Sequence, residues 1–507
     1  MKKKIFNLKS IKNIISKQKL NKKTIVLSHG VFDLLHLGHI KHFESAKKNG
    51  DFLVVSITTD KFVNKGFGRP FFNAYQRAST ISSLEVVDAV IISNFETSEK
   101  IINIVKPNIY FKGPDYKNNK KDYTKNIYKE IKAIKKNNGK IVYSDDETYS
   151  SSNLLNKSGI LFNEIQNNFL KSIKKKYSFD FIVDKFDKFK KLKPLIIGET
   201  IIDQYIFCEV LGKSGKEPHL VIKDEYEESY LGGAGAIANH LSSFCNKGNF
   251  ITCIGDKSNY LKFIKKKINK NINIRFIIKK NSPTILKKRY LDSISRNKLF
   301  GVYSMNDQVI DSQTTKKIIN NLKKNFSKSD LIIVSDYGHG FIPEIMANKI
   351  SKINKFIALN AQVNASNYGY HSLAKYKKID SLIINETELR HEMRDKLSDV
   401  FYLAKILKNK YKIKNLIVTR GRNGAFLIEY NKNKIVNCPA FSDKVIDKVG
   451  AGDTMLAIIS LCLKLKIPSD LSLFLGSLAG ANSVESMGNS VTLNKKSLLR
   501  KIEFILK

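Results

Sequence analysis

The sequence predicts an α/β protein with two successive domains, each built on a parallel β-sheet. The chain has 507 residues and a hydrophobic content of 42%, which is too long for one ordinary core and apolar enough for two. Short β-rich runs alternate with longer amphipathic segments, in one series from residue 24 and in a second from residue 192. Such alternation is typical of parallel sheets covered by helices on both faces.

The elements divide the chain into four predicted segments. These are a lysine-rich extension (1–23), a first α/β domain (24–157), a polar linker (158–191) and a larger α/β domain (192–507). Predicted strands of the first domain are TIVLSHG, DFLVVSI, AVIIS, NIYFKG and KIVYSDD, and IKHFESAKKNG is a helix. Predicted strands of the second are PLIIGETIID, FITCIGD, DLIIVSDYG, KFIALNA, SLIINE and NLIVTRG.

The net charge of +42 raises the question of a nucleic-acid partner, because 88 Lys and Arg stand against 46 Asp and Glu. The lysines are spread along the whole chain among Asn and Ile, which is typical of solvated surface lysines. We therefore expect no nucleic acid. A nucleic-acid-binding protein, whose binding would depend steeply on salt, is the alternative from another class. The basic balance favours phosphorylated small ligands.

The cysteines and the apolar runs of the sequence indicate the cellular compartment of the protein. The five cysteines include no CxxC pair, so buried reduced thiols are expected. Lysines interrupt every apolar run near the N-terminus, and no stretch approaches 18 apolar residues. The expectation is a soluble cytoplasmic protein with no membrane contact, for which a homodimer stays open.

Residues 28–39, SHGVFDLLHLGH, contain three of the nine histidines. His36 and His39 follow the first predicted strand, at the edge where open parallel sheets bind ligands. The helix that starts there offers free N–H groups to phosphate, and imidazole donors could stabilise its charge. A zinc site would need further ligands, which the neighbouring sequence lacks. Two ordinary core histidines are the other alternative.

The stretch GVFDLLHLGH resembles the HxGH signature of the cytidylyltransferase-like nucleotidyltransferases. RPFFNAYQR, FKGPDY and TYSSSNLL resemble further segments of that family in the same order, so the resemblance spans residues 24–156. It implies a Rossmann-like fold, and attack of a sugar or alcohol phosphate on the α-phosphorus of ATP or CTP with Mg²⁺ present. It assigns catalytic phosphate contacts to His36, His39 and Lys47, and nucleotide or phosphate contacts to Gly30, Phe32, Asp33, Lys112, Asp115, Ser151 and Ser152.

Residues 447–455, DKVGAGDTM, predict a second phosphate site. A Gly-Ala-Gly turn that opens a helix presents consecutive N–H groups to a phosphoryl group. Asp453 at its end is placed to act as general base for a substrate hydroxyl. The simpler interpretation is a glycine-rich turn in which Asp453 caps the helix.

DKVGAGDTM also resembles the C-terminal signature of the ribokinase-like (PfkB) carbohydrate kinases. YLGGAGAIANH resembles their sugar-binding signature, IIGETIID their first strand, INETE their NxxE element and VTRGRNG their nucleotide loop. The resemblance implies a kinase with a small β lid over residues 192–507 and ATP as substrate. It assigns the base to Asp453, phosphate contacts to Gly450, Ala451 and Gly452, nucleotide contacts to Thr419, Gly421 and Gly424, Mg²⁺ to Asn385 and Glu388, and sugar contacts to Asp203, Gly232, Gly233 and Asn239.

Within that superfamily the chain is most similar to the bifunctional heptose-7-phosphate kinase/heptose-1-phosphate adenylyltransferases. TILKKRYL and VSDYGHG carry this likeness, which assigns the sugar phosphate to Lys287 and Arg289. Three features differ from that family. The transferase comes first, the first kinase strand ends in Gly198-Glu199 where Gly-Asp is usual, and LNAQVN (residues 359–364) replaces an Asp-Pro-Lys segment.

The leading hypothesis is therefore a bifunctional enzyme of ADP-heptose-type nucleotide sugar synthesis. Its kinase would phosphorylate the anomeric hydroxyl of a sugar phosphate, and its transferase would couple a sugar 1-phosphate to a nucleotide. The same two reactions on another sugar or polyol phosphate with CTP are the alternative, motivated by the LNAQVN segment. A further alternative is that one domain is inactive and only supports an oligomer.

Overall fold

The computed structural model describes residues 4–66, 68–114, 126–144, 161–257, 260–364, 366–429, 434–442 and 445–506. The chain forms two compact units, residues 1–163 with 499–507 and residues 164–498. The predicted α/β class is confirmed in both units. Within the described ranges, all five cysteines are buried free thiols, as expected. No helix in the described part of the chain is long and apolar enough to cross a membrane.

The first unit is built on a six-stranded sheet in the order β1-β4-β3-β2-β5-β6, with every pair parallel. The strands are β1 (Ile5–Phe6), β2 (Ile25–Gly30), β3 (Phe52–Thr58), β4 (Ala89–Ser93), β5 (Ile109–Lys112) and β6 (Lys140–Tyr143). The chain runs from β2 outward to β4 and returns to the other side of β2 with β5. This reversal makes the carboxyl end of β2 the expected ligand edge.

The helices described in this unit are α1 (Leu8–Leu20), α2 (Leu37–Lys47), α3 (Ala74–Ser82), α4 (Glu99–Val105) and α5 (Asn126–Lys136). Helix α1 lies in the predicted extension and begins with a capping box between Asn7 and Ser10. Ile11 and Ile15, four residues apart, bury the same face of α1 in the core. The predicted extension is therefore folded as part of this unit.

The second unit has a nine-stranded central sheet in the order β10-β9-β7-β13-β14-β15-β16-β17-β18, parallel except at its last two pairs. Its strands are β7 (Pro194–Lys213), β9 (Gly248–Gly255), β10 (Ile272–Lys279), β13 (Leu331–Asp336), β14 (Phe356–Ala361), β15 (Ser381–Asn385), β16 (Asn415–Thr419), β17 (Ala425–Glu429) and β18 (Ile435–Cys438). After β7 the chain adds β9 and β10 on one side and then continues with β13 on the other side of β7, so the ligand edge is expected at the carboxyl ends of β7 and β13.

The 20-residue strand β7 belongs to two sheets. Its first six residues pair with β9 and β13 of the central sheet. From Thr200 onward β7 pairs with β8 (Leu220–Gly233) and β11 (Ile285–Asp292), and β11 pairs with β12 (Lys298–Ser304). These four strands form the small β lid that the sequence predicts.

The helices of the second unit flank the central sheet and bury its Ile, Leu and Val side chains. They are α6 (Glu164–Lys176), α7 (Phe179–Phe189), α8 (Ala234–Ser242), α9 (Leu261–Lys267), α10 (Ser312–Phe326), α11 (Glu344–Ser351), α12 (Glu386–Met393), α13 (Val400–Lys410), α14 (Ala451–Lys464) and α15 (Ser469–Val484), followed by α16 (Lys495–Leu506). Helices α6 and α7 occupy most of the predicted linker. From Leu499 onward α16 belongs to the first unit.

Candidate active sites

The histidine turn of the first unit lies between β2 and α2, at the predicted edge. The rings of His36 and His39 are stacked, with centroids 3.9 Å apart and planes inclined by 19°. His36 is the N-cap residue of α2 but makes no side-chain cap, so the first N–H groups of α2 gain no bond from its imidazole. The turn thus combines two imidazoles with the positive end of a helix.

The pKa values of both imidazoles lie below the ordinary value of histidine. Desolvation by burial lowers the pKa of His39 to about 3, and the neighbouring charges of His36, Lys65 and Arg69 act in the same direction. Burial also lowers the pKa of His36, with a further contribution from Arg69. Neutral imidazoles can each donate one N–H to a phosphate oxygen without carrying a charge of their own.

A buried ion pair fixes the position of the histidine turn. Asp33 is 1% exposed and pairs with Arg69, whose Nε lies 2.6 Å from Oδ2. The carboxylate also accepts the N–H groups of Phe71 (2.7 Å) and Phe72 (3.0 Å). Asp33, which the resemblance assigns to the nucleotide, therefore ties the turn to the segment before α3.

Arg77 joins the same two segments. Its Nη1 donates to Val31 O at 2.6 Å, and its Nε donates to Phe72 O at 2.9 Å. Its Nη2 donates to Thr58 O at 2.8 Å and pairs with Asp60 at 2.6 Å. One buried guanidinium thus fixes the backbone on both sides of the candidate site.

The structure does not bring Lys47 together with the histidines. Lys47 ends α2, eleven residues after His36, which places it about 16 Å further along the helix axis. Its ammonium lies 2.6 Å from Asp88 Oδ2 and donates to Asp51 O at 2.7 Å. Lys65, whose charge acts on His39, is the lysine near the imidazoles.

Of the other residues assigned to this site, Gly30, Phe32 and Lys112 are described by the structure. The Phe32 ring packs on Phe43 and against Gly30, where an added Cβ would lie 2.9 Å from that ring. Lys112 is buried at the end of β5 and lies 2.9 Å from Glu130. Asp115, Ser151 and Ser152 lie outside the described residues.

In the second unit Asp453 lies in the first turn of α14. Gly450 caps this helix with a φ of 88°, in the left-handed region that favours glycine. The N–H groups of the first turn, from Ala451 and Gly452 onward, have no partner within the helix, and such groups can bind a phosphate. Desolvation raises the pKa of Asp453 to about 7, and the Tyr337 hydroxyl, which donates to Oδ1 at 2.7 Å, opposes that rise.

Asp447 anchors the loop that leads to this turn. Its carboxylate is 1% exposed and lies 2.6 Å from the ammonium of Lys298 in β12. The Tyr205 hydroxyl of β7 donates to it at 2.6 Å, and Gly488 N–H donates at 3.1 Å. The lid strands and the glycine-rich turn are therefore joined through one buried acid.

The residues assigned to the sugar converge at the base of the lid. Asp203 and Arg289 are paired at 2.6 Å, and both side chains are largely buried. Gly232 faces this pair across the sheet, since an added Cβ would lie 2.0 Å from Asp203 Oδ2. Lys287 is buried, and its charge acts on both Asp203 and Asp453. This cluster offers two cations to an anionic acceptor.

Two other sugar assignments have local roles in the structure. Gly233 is the N-cap residue of α8, with a φ of 59°. The Asn239 amide donates to Lys267 O at 2.9 Å, and its oxygen accepts Asn269 N–H at 3.1 Å. Asn239 thus holds the loop after α9, and its amide is engaged away from the lid cluster.

Asn385 and Glu388 form a capping box at the start of α12. Asn385 Oδ1 accepts the N–H of Glu388, and Glu388 Oε2 accepts the N–H of Asn385, both at 2.8 Å. Burial raises the pKa of Glu388 to about 7, with the charge of Asp453 contributing. Within the described ranges, no group of three or more His, Cys, Asp or Glu could hold a metal ion. Of the two residues that the resemblance assigns to Mg²⁺, only Glu388 carries a carboxylate.

The predicted nucleotide loop follows β16. Gly421 has a φ of 55°, and Gly424 a φ of 76° with Cys438 O only 2.1 Å from an added Cβ. Gly424 N–H donates to Gly421 O at 3.1 Å, which closes the turn after Thr419. Both glycines are therefore required by the backbone path itself.

Sequence reasoning gave no role to Tyr337 and Glu199, although both lie at the kinase site. Tyr337 follows the end of β13, and Glu199 lies where β7 leaves the central sheet. A signal for each was present, because both stand at the carboxyl ends of strands flanking the topological reversal.

Both arrangements present the start of a helix, where backbone N–H groups can bind phosphate. The chain belongs to the pfkB family of carbohydrate kinases, which residues 192–496, more than half of its length, match. Residues 27–157 match the cytidylyltransferase-like family. The two predicted family resemblances are confirmed.

Among curated relatives, the chain is 29% identical over 308 residues to the bifunctional protein HldE of Aliarcobacter butzleri, covering 60% of this chain and 63% of that protein. It is 44% identical over 114 residues to the bifunctional protein HldE of Nitratiruptor sp., covering 22% of this chain and 24% of that protein. The chain thus spans less than two thirds of these relatives. Among solved structures, the match to phosphofructokinase-2 from Escherichia coli covers 62% of this chain and 100% of that enzyme, with a TM-score of 0.50 and 13% identity. A likeness at this identity shows the fold alone.

Proposed function

We propose that the chain is a bifunctional enzyme of ADP-heptose-type nucleotide sugar synthesis. Its kinase unit transfers the γ-phosphoryl group of ATP to the anomeric hydroxyl of a heptose phosphate. Its transferase unit couples a sugar 1-phosphate to a nucleotide and releases pyrophosphate. The observation that carries this proposal is Asp453, a carboxyl with a pKa of about 7 at the start of a helix, beside the cationic lid cluster.

In the kinase reaction Asp453 accepts the proton of the acceptor hydroxyl as its oxygen attacks the γ-phosphorus and ADP leaves. The N–H groups at the start of α14 hold the transferring phosphoryl oxygens. Lys287 and Arg289 hold the acceptor's own phosphate, for which the bidentate guanidinium is suited. Mg²⁺, bound by the nucleotide phosphates and supported by Glu388, would neutralise phosphate charge.

In the transferase reaction an oxygen of the sugar 1-phosphate attacks the α-phosphorus, and pyrophosphate leaves. His36 and His39 donate neutral N–H groups to phosphate oxygens, and the start of α2 adds its dipole. No protein nucleophile takes part, since positioning and charge stabilisation are sufficient for phosphoryl-type transfer.

The test is to supply purified protein with ATP and heptose 7-phosphate and to look for a 1,7-bisphosphate. A second assay measures pyrophosphate release from ATP or CTP with heptose 1-phosphate. Asp453→Asn should abolish the first activity and leave the second, which controls for the integrity of the protein. Absence of phosphoryl transfer to every heptose phosphate would contradict the heptose assignment.

Another sugar or polyol phosphate with CTP is the second candidate. It is favoured by residues 360–362, Asn-Ala-Gln, at the end of β14 beside the kinase site. Gln362 N–H donates to Asp336 O at 2.9 Å, and Asn360 Nδ2 donates to Ile383 O at 2.8 Å, so a neutral pair stands where the related kinases carry an acid and a base. A panel of sugar and polyol phosphates with both nucleotides separates the two candidates.

A further inference from the structure

Tyr337 is the residue in contact with Asp453, and its polar groups are held by buried or half-buried side chains. Its N–H donates to Glu199 Oε2 at 3.1 Å. Its carbonyl accepts from Asn364 Nδ2 at 2.8 Å and from Asn367 Nδ2 at 2.9 Å. Its hydroxyl donates to Asp453 Oδ1 at 2.7 Å. The ring is 3% exposed, so the direction of the hydroxyl is fixed by the backbone and by packing together.

Glu199 holds the turn on which Tyr337 stands. Its second oxygen accepts His339 N–H at 3.2 Å, so one carboxylate binds two N–H groups of the same turn. Glu199 is 1% exposed, and an added Cβ on the preceding Gly198 would lie 2.2 Å from Ser335 O. The close approach of β7 to β13 therefore places this carboxylate directly beneath the turn.

We propose that Glu199 and Tyr337 are positioning residues for the kinase reaction, which orient Asp453 so that its Oδ2 faces the acceptor hydroxyl. This inference rests on the proposed kinase function and is independent of the identity of the sugar. In the transfer step the acceptor O–H bond breaks and its proton goes to Oδ2. The acceptor oxygen bonds to the γ-phosphorus, and the bond from that phosphorus to the ADP oxygen breaks with its electron pair. The hydroxyl of Tyr337 keeps its own proton throughout.

The groups around Asp453 also shift its pKa. The groups linked to the charge of Asp453 are Tyr337, Asp203, Lys287 and Glu388. Behind Tyr337, burial and the charge of Asp336 raise the pKa of Glu199 as well. Burial and Asp203 raise the pKa of Asp453, while the Tyr337 hydrogen bond and Lys287 lower it. Because a donor to a carboxylate favours its charged form, loss of the hydroxyl would raise the pKa further.

The experiment is the pH dependence of kinase kcat/KM in the full-length protein for Tyr337→Phe. We expect the acidic limb to move up by about one pH unit, equal to a rate about tenfold lower on that limb, with the KM for ATP unchanged. Tyr177→Phe is the matched control, since the Tyr177 hydroxyl makes a 2.7 Å bond to Asp470 away from this site. It should retain the wild-type profile.

Glu199→Gln tests the second half of the inference, because a Gln of the same size can accept only one of the two N–H groups in the original manner. It should shift the acidic limb in the same direction. The double variant should show no larger shift than Tyr337→Phe alone, since both changes act through one hydroxyl. Additive shifts would contradict a shared route.

The outcomes separate this inference from the proposed function. If the wild-type protein transfers phosphate to no sugar phosphate, the proposed function fails. If it does transfer phosphate and Tyr337→Phe keeps the wild-type acidic limb, the positioning role is refuted. A fall in kcat without a shifted limb refutes it equally, because that is the result of a purely structural residue.

Discussion

Gly232 is the position at which one methyl group tests the lid cluster most directly. It stands opposite Ile201 in the antiparallel pair of β7 and β8. In Gly232→Ala the new Cβ would lie 2.0 Å from Asp203 Oδ2 and 3.0 Å from its Cγ. The carboxylate must then turn away, and it cannot do so without leaving Arg289, at 2.6 Å.

The expected loss follows from that ion pair. A hydrogen bond to a charged group is worth roughly 1.5–3 kcal/mol, which corresponds to a factor of about 10–150 in an equilibrium constant. We expect kcat/KM for the sugar phosphate to fall by about that factor, with the KM for ATP unchanged. The assay is coupled ADP release at varied sugar phosphate, with thermal unfolding measured in parallel. Gly215→Ala is the matched control, because an added Cβ there meets nothing within 4 Å.

A double-mutant cycle tests whether Gly232→Ala acts through the Asp203 carboxylate. In an Asp203→Ala background the methyl group at residue 232 has room, so Gly232→Ala should have little further effect. Equal losses from Gly232→Ala with and without the Asp203 carboxylate would show that the methyl acts by another route.

Three further predictions concern the two sites. Burial lowers the pKa of His39 to about 3 and lowers that of His36 below its ordinary value, so pyrophosphate release should not fall as pH rises through 6.5. A rate that does fall there would mean that imidazolium acts. Glu388→Gln retains a capping box but loses the negative charge, so half-maximal kinase activity should need about 10–100-fold more Mg²⁺. An unchanged Mg²⁺ requirement would mean that Glu388 serves only to cap the helix. Burial raises the pKa of Asp453 to about 7 from an ordinary value of about 4, so the stability that its neutral form contributes is fully present below about pH 4 and is lost as pH rises from there to 7. Asp453→Asn should therefore raise the Tm by a few degrees at pH 8 and by clearly less at pH 4, and equal shifts at both would contradict that value.

The positions of both candidate phosphate-binding turns could be predicted from sequence because each depends on local order. SHGVFDLLHLGH joins a strand to a helix, and DKVGAGDTM opens one, so the side chains at those turns lie at a helix start whatever packs around them. Hydrophobic alternation then fixes which sheet edge they occupy. The order of the strands gives the reversal point, and the structure places both turns beside it.

Other assignments depended on geometry that a motif does not carry. Lys47 matched by residue type, but a helix advances about 1.5 Å per residue, so a lysine that ends α2 cannot reach the imidazoles at its start. The Asn385–Glu388 spacing fits a helix cap as well as a phosphate motif, and the structure shows the cap. Glu199 and Tyr337 are 138 residues apart, and a hydrogen bond across that separation is created only when β7 and β13 pair.

At both candidate sites, burial shifts the pKa of a titratable group in the direction that favours its neutral form. The direction differs, because burial lowers the pKa of a histidine and raises that of an aspartate. Burial lowers the pKa of His39 to about 3, far from the working range, so the imidazole can donate to phosphate at any neutral pH without repelling a cation beside it. Burial raises the pKa of Asp453 to about 7, which brings it into the working range and makes it a stronger base once ionised. The pKa of a group that only donates a hydrogen bond is best far from physiological pH. The pKa of a group that must accept a proton is best close to it. The Tyr337 hydroxyl limits the second shift, because the hydrogen bond that it donates favours the ionised form of the buried carboxyl.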